Sequence, residues 1–276
     1  MRSLVVTAPV AEAELAADVL FGAGVAAVEE RPSETAGCVE LWTHVGDEQV
    51  AIDRVIATLA AGWGHRVVDV DETVADTWRR HAAPIPVTDQ LTIVPSWLDE
   101  VETAGARIVL DPGSAFGLGD HPTTQLTLRA LLRHVEGAST PPRRLLDVGC
   151  GSGVLAIAAA LAGVDDVQAI DIHAGAVEAT VANAARNGAG GRIAASATPL
   201  TDVEGMFDVV LANVLAPVLV DLADDLRRVT APGGLLVISG VLDGRFDHVV
   251  AALSPMSVRR VEVLDGWAAV ELGRPG

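Results

Sequence analysis

Residues 145–153 read Leu-Leu-Asp147-Val-Gly149-Cys150-Gly151-Ser152-Gly153 and lead straight into an apolar run from Val154 to Leu161. An apolar segment that ends in Asp-x-Gly-x-Gly-x-Gly and continues as an Ala/Leu-rich run predicts a strand, a tight turn and a helix. The glycines let the chain turn sharply and let a ligand lie against the main chain, where a side chain would clash. The helix behind them presents unpaired N–H groups and a partial positive charge to whatever occupies the turn. That is the local design of a nucleotide pocket.

Three details narrow the nucleotide. The dinucleotide fingerprint is Gly-x-Gly-x-x-Gly, and here Gly153 comes one residue too early, with Val154 where the third glycine belongs. A P-loop needs Gly-Lys-Ser/Thr, and the chain contains no lysine. Asp147, entering the turn, would repel a pyrophosphate but can accept hydrogen bonds from an amino-acid ammonium. Together these favour S-adenosylmethionine, which carries adenosine and an amino acid but no phosphate. An NAD-dependent oxidoreductase and a protein-binding module without turnover are the rival readings from other classes.

Two further residues stand where such a ligand would need them. Asp171 ends the apolar stretch Val167–Ile170 and follows Gly149 by about twenty residues, the spacing at which a second-strand carboxylate takes ribose hydroxyls; capping the next helix is a compatible role. Asn213 ends the stretch Phe207-Asp-Val-Val-Leu-Ala. Earlier, Asp111-Pro-Gly-Ser-Ala-Phe116-Gly-Leu118-Gly-Asp-His121-Pro-Thr-Thr124 is dense in glycine and polar groups and reads as a loop folded over a ligand. Within it, Thr123 or Thr124 would cap the following helix, and His121 suits a structural loop histidine better than a base.

The elements that position these residues follow an alternating pattern. After the glycine turn come a strand to Asp171, a helix over 174–187, a short strand near Ile193, a strand to Leu211 opening into Ala212-Asn213-Val214-Leu215, and a helix through Val229. A strand at 235–238 and a helix near 246–253 follow, and strands at 258–264 and 267–272, joined by Asp265-Gly266, close the chain as an antiparallel edge. Alternating strands and helices predict an α/β, doubly wound, Rossmann-like parallel sheet over 106–276. Ligands in such sheets bind at the carboxyl ends of the strands, where Gly149, Asp171 and Asn213 all fall. Residues 1–71 form a separate unit: strand 4–6, helix 11–21, strands 25–28 and 39–42, helix 47–59 and strand 66–70. Its order β-α-β-β-α-β predicts a small ferredoxin-like α+β domain. Residues 72–105, with a short helix over 72–81 holding Trp78 and then Pro84, Pro86 and Pro95, read as a linker that becomes the first β element of the second domain.

Composition sets the remaining bounds. Half of the 276 residues are hydrophobic, enough for a sizeable core and too many for disorder. No apolar run reaches membrane-spanning length, and the first residues lack a signal peptide's pattern. Cys38 and Cys150 lie far apart with no metal-ligand spacing around them, so no metal site is expected and a reducing, cytoplasmic setting is. A formal charge of −18 argues against a nucleic-acid-binding face and suits electrostatic capture of a basic partner.

The stretch from Asp111 to Thr124, the turn from Asp147 to Gly153, Asp171 and Ala212-Asn-Val-Leu215 together resemble the bacterial methyltransferases that modify ribosomal protein L11 of the large-subunit stalk base. The resemblance covers essentially the whole chain, including the Trp78…Pro84…Pro95-Ser96-Trp97 segment. It implies a class I methyltransferase domain using S-adenosylmethionine, an N-terminal domain that recognises the substrate, and methylation of lysine or N-terminal amines. It places cofactor contacts at Thr124, Gly149, Gly151, Asp171 and Asn213, with Phe116 and His121 in the loop covering the site. Leu118 departs from the threonine usual in that loop. Asn213 would either orient the attacking amine or contact only the cofactor's adenosine. Another protein's lysines, or a small molecule, are the alternative substrates.

Overall fold

The computed structural model describes residues 2–23, 25, 28–43, 45, 48–69, 83–98, 101–103, 105–111, 119–138, 140 and 142–276. Phe116, Leu118, Trp78 and the helix expected over 72–81 lie outside the described residues. The chain divides into two compact units, 1–82 and 83–276.

The first unit runs β1 (Arg2–Pro9), α1 (Ala13–Gly22), β2 (Val28–Pro32), β3 (Cys38–Thr43), α2 (Gln49–Ile56) and β4 (Gly64–Asp69). Its sheet has the order β2-β3-β1-β4 with every neighbouring pair antiparallel. Leu4, Val6 and Ala8 alternate along β1 and pack with Leu41 against Ala16, Leu20, Ile52 and Val55. Val5, on the opposite face of β1, is buried as well, whereas β3 shows period-two burial at Val39, Leu41 and Thr43. The second strand lies later than expected: 28–32 rather than 25–28. Residues 31–37 are rich in turn formers, yet Arg31 and Pro32 close β2, an edge strand, and edges accept charge and proline because one side of the backbone has no ladder to complete.

The second unit opens with β5 (Ile85–Thr88), β6 (Leu91–Pro95) and β7 (Ala106–Leu110), a small sheet of their own in which β6 pairs antiparallel with β5 and parallel with β7. Of the stretch 72–105, expected as a linker that becomes the first β element of this domain, the part from residue 83 on falls in this unit and supplies its first strands. Val87, Leu91, Ile93, Ile108 and Leu110 are buried in the same core cluster as the glycine-turn helix. The proline spacing that suggests a linker is accommodated because Pro86 and Pro95 sit at strand positions of a three-stranded sheet.

There follow α3 (Pro122–Gly137), β8 (Arg144–Val148), α4 (Val154–Leu161), β9 (Asp166–Ile170), α5 (Ala174–Arg186), β10 (Ile193–Ser196), β11 (Phe207–Asn213), α6 (Ala216–Asp221), α7 (Ala223–Val229), β12 (Thr230–Leu242), α8 (Asp247–Ala252), β13 (Ser257–Leu264) and β14 (Trp267–Gly273). The large sheet has the order β10-β9-β8-β11-β12-β14-β13. Five neighbouring strands run parallel, their order of connection reversing at β8, and β14 enters antiparallel between β12 and β13. The hairpin that makes this possible turns on two residues, Asp265 at φ 50° and Gly266 at φ 80°, the left-handed pair that matches strand twist. Two clusters of buried side chains cover the two faces, one with α4 and the small sheet, the other with α6, α7 and α8. Among the described residues no helix is long and apolar enough to cross a membrane.

Phe207 is fully buried in the second of these clusters, with the Arg144 guanidinium 4.5 Å above its ring. Phe207→Ala should lower the unfolding free energy by about 3–5 kcal/mol, read as a lower midpoint in urea.

Candidate active site

Ladder pairing sets the geometry. Val148 on β8 pairs with Ile170 on β9 and with Ala212 on β11. The next residue on each strand is therefore level with the others, so Gly149, Asp171 and Asn213 stand side by side at the carboxyl ends of three adjacent parallel strands. The turn that follows β8 needs its glycines. Gly149 has φ +74°, and a Cβ there would lie 2.5 Å from Val214 Cγ1. Gly153, at φ +82°, caps α4, and a Cβ there would strike Thr180 at 2.9 Å.

Asp171 locks the turn to the next helix. Its Oδ2 accepts from the Gly151 N–H at 3.1 Å and its Oδ1 from the His173 N–H at 2.9 Å. Asp171 does not cap α5: the N-cap is His173, no side chain caps that helix, and Asp171 only accepts from the His173 N–H. Thr124, carried on α3, meets Asn213 from the other side: the Asn213 amide Nδ2 donates to Thr124 Oγ1 at 3.4 Å. The structure thereby brings together Thr124, Gly149, Gly151, Asp171 and Asn213. His121 is the N-cap of α3, with Nδ1 accepting from the Thr123 N–H, and its ring packs edge-on against Trp267 with centroids 5.0 Å apart. Capping falls to His121 rather than to Thr123 or Thr124. Burial holds the His121 imidazole below the ordinary histidine range, offset in part by Asp120.

Asp147 is the electrostatic centre of the turn. It is completely buried, and its Oδ2 accepts from the Ala156 N–H in the first turn of α4 at 3.2 Å. One of the helix's unpaired donors is therefore filled from within the chain. The other oxygen, Oδ1, has no hydrogen-bond partner among the described residues. Burial, reinforced by the nearby Asp171 charge, pushes the carboxyl up to about 7 against the pull of the Ala156 bond. The neighbouring Cys150 thiol is pushed up to about 12, chiefly by burial and next by Asp147, so it is inert as a nucleophile. Among the described residues no group of three or more His, Cys, Asp or Glu could hold a metal ion.

Two residues at the site are not apparent from motif spacing. Thr180 on α5 donates at 3.2 Å to Cys150 Sγ and to Gly151 O, and the buried Asn183 donates to Ser152 O at 2.9 Å. The available signal is their type: threonine and asparagine are poor helix formers, yet they sit inside an alanine-rich helix.

Comparison with known proteins places this arrangement. The family described as ribosomal protein L11 methyltransferase (PrmA) matches residues 6–275. A ribosomal protein L11 methyltransferase from Geobacter sp. (strain M21) is 41% identical over 210 residues, 74% of this chain and 68% of that protein. One from Sorangium cellulosum is 39% identical over 258 residues, 89% of this chain and 80% of that protein. The crystal structure of ribosomal protein L11 methylase from Lactobacillus delbrueckii subsp. bulgaricus matches with a TM-score of 0.64 at 35% identity, covering 71% of this chain and 100% of that one.

The raised Asp147 pKa has a signed consequence for stability. Between the unfolded value near 4 and the folded value of about 7, the native chain holds a proton that the unfolded chain has released. The resulting stabilisation is fully present below pH 4 and is lost as pH rises through 7. Asp147→Asn removes this dependence. The melting temperature of the wild type relative to the variant should therefore fall between pH 5 and pH 8, and a pH-independent difference would count against the buried proton.

Proposed function

The chain belongs to the ribosomal protein L11 methyltransferase family, and on that premise we propose that it methylates lysine or N-terminal amines of ribosomal protein L11 with S-adenosylmethionine as donor. The observation that carries this reading is the level alignment of Gly149, Asp171 and Asn213, with Thr124 hydrogen-bonded to Asn213.

The donor set suits this cofactor. Asp147 Oδ1, buried and without a partner among the described residues, fits the ammonium of an amino-acid moiety. Gly149 is held to glycine by its left-handed φ of +74° and by Val214 Cγ1, 2.5 Å from where a Cβ would stand, which fixes the turn's shape. Asp171 keeps lone pairs for ribose hydroxyls beyond its two backbone bonds. Phe116 belongs to the loop assigned to cover the site.

S-adenosylmethionine supplies an electrophilic methyl group on a sulfonium. The chain's own task is to present a neutral amine to it. A lysine amine is almost wholly protonated at neutral pH; a desolvated pocket lowers its pKa by disfavouring the charged form, and the proton leaves to water. With its Nδ2 committed to Thr124, Asn213 keeps Oδ1 as an acceptor for the amine's hydrogens. Holding nucleophile and methyl in line is an orientation effect of several kcal/mol.

The first unit, with its β-α-β-β-α-β order and β2-β3-β1-β4 sheet, is assigned as a ferredoxin-like substrate-recognition domain. A macromolecular substrate accounts for a second domain better than a small molecule does. The charge of −18 suits a basic protein partner and no direct contact with nucleic acid. A cytoplasmic setting accords with such a substrate.

The deciding experiment is intact and peptide mass spectrometry of ribosomal protein L11 incubated with this chain and S-adenosylmethionine. Expected are mass gains of one or more methyl groups at lysines or the N-terminus, with Asn213→Ala slower by about a hundredfold or more, the scale of a lost positioning contact. No gain from a chain that binds the cofactor would move the substrate elsewhere. Asp171→Ala should weaken cofactor binding by about tenfold or more, as expected for the loss of charge-assisted hydrogen bonds; unchanged affinity by calorimetry would remove it from the ribose role. Raising salt should slow capture of the protein substrate without changing cofactor affinity.

A further inference from the structure

Among the described residues the outer edge of β7 has no strand partner, and α5 supplies one made of side chains. Asn187 accepts from the Val109 N–H and donates to Val109 O, both at 2.8 Å. One helical turn earlier, Asn183 accepts from the Asp111 N–H at 3.0 Å and donates to Asp111 O at 2.9 Å. Residues two apart on a strand and four apart on a helix share a face, so two amides on one helix face satisfy successive outward-facing peptide groups of the strand. Each amide imitates the peptide group of a missing neighbouring strand.

The two asparagines differ in one respect. Asn187's remaining donor bond is to Asn183 O of its own helix, at 2.8 Å. Asn183 instead reaches Ser152 O in the glycine turn at 2.9 Å, and its Oδ1 also accepts from Arg186 Nη1 at 2.7 Å. All four hydrogen-bonding sites of the Asn183 amide are used, and the residue is fully buried. It joins two pieces of chain far apart in sequence: Asp111, the last described residue before segment 112–118, and Ser152, between Gly151 and Gly153.

We propose that Asn183 is a positioning residue for methyl transfer, holding the glycine turn at Ser152 to Asp111 at the end of β7, while Asn187 only completes the strand edge. The proposal rests on the assignment of the glycine turn as the S-adenosylmethionine site. Cofactor binding weakens when this bond is lost, because the turn then loses its tie to α5 and β7. Asn183 itself touches neither cofactor nor substrate.

Two matched isosteric variants test this. Asn183→Asp keeps the acceptor for the Asp111 N–H but replaces the Nδ2 that donates to both Asp111 O and Ser152 O by a repelling oxygen. Asn187→Asp makes the same change against Val109 O and Asn183 O, away from the glycine turn. Both should melt at lower temperature than the wild type. By calorimetry with S-adenosylmethionine, the dissociation constant of Asn183→Asp should rise about tenfold, the scale of one lost buried hydrogen bond, while that of Asn187→Asp stays within about twofold. Equal weakening in both variants, or none in either, overturns the positioning role and leaves the cofactor assignment intact. No binding by the wild type overturns the cofactor assignment, and the positioning role with it. The wild type also gives a readout that needs no variant: saturating cofactor should slow hydrogen exchange of the Asp111 amide more than that of Val109. Equal slowing at the two amides overturns the proposal.

Discussion

The site depends on the parallel ladder through Val148. Because that residue pairs on both sides, with Ile170 and with Ala212, three strands are held in one register. The residue after each of them is delivered to the same level at the sheet's carboxyl edge. A slip of one residue on either neighbour would turn its side chains to the opposite face and withdraw Asp171 or Asn213 from the site. The apolar burial of Leu146, Val148, Ile170, Val210 and Ala212 enforces the register, so the core's packing and the site's geometry are one constraint. Functional groups need no separate support, since the ladder that stabilises the domain also aligns them.

Around that edge, polar side chains complete backbone groups that secondary structure leaves open. Asp147 fills a first-turn N–H of α4, Asp171 ties Gly151 to the start of α5, and Asn183 and Asn187 serve the free side of β7. Apart from the exposed His173 N–H, these groups are buried or half-buried, where an unmade bond costs about 1–3 kcal/mol. The glycine turn is consequently held from three directions, by β9, by α4 and by α5. Such preorganisation is what a site requires if ligand binding is not to be spent on ordering the chain.

Much of this was legible in the residues. The strand–turn–helix at 145–161 and the alternation after it follow from glycine chemistry and period, and the two-residue turn at Asp265-Gly266 marks the closing hairpin. What was not legible depends on partners distant in sequence. Arg31-Pro32 reads as the start of a turn-rich stretch until β3 is seen beside it at the sheet's edge. Residues 85–95 read as a linker because their prolines break local regularity, whereas their apolar side chains find a core supplied by residues that come later. Asn183 carries no motif at all, since its role exists only where α5 lies against β7 and the turn. That Asp171 and Asn213 belong to one site could be anticipated from strand ends, but that β14 enters between β12 and β13 could not, because nothing local distinguishes an inserted strand from an appended one.

The buried carboxyl of Asp147 also makes the site a proton ledger. A group that titrates near neutrality, with one oxygen uncommitted, changes its occupancy when a cation is brought beside it. A ligand bearing an ammonium would favour the ionised form and expel the proton to solvent. Association would then be accompanied by acidification of the medium, and its apparent heat would vary with the ionisation enthalpy of the buffer. The coupling arises from one oxygen atom to which no group among the described residues donates, at the point where a strand meets a helix.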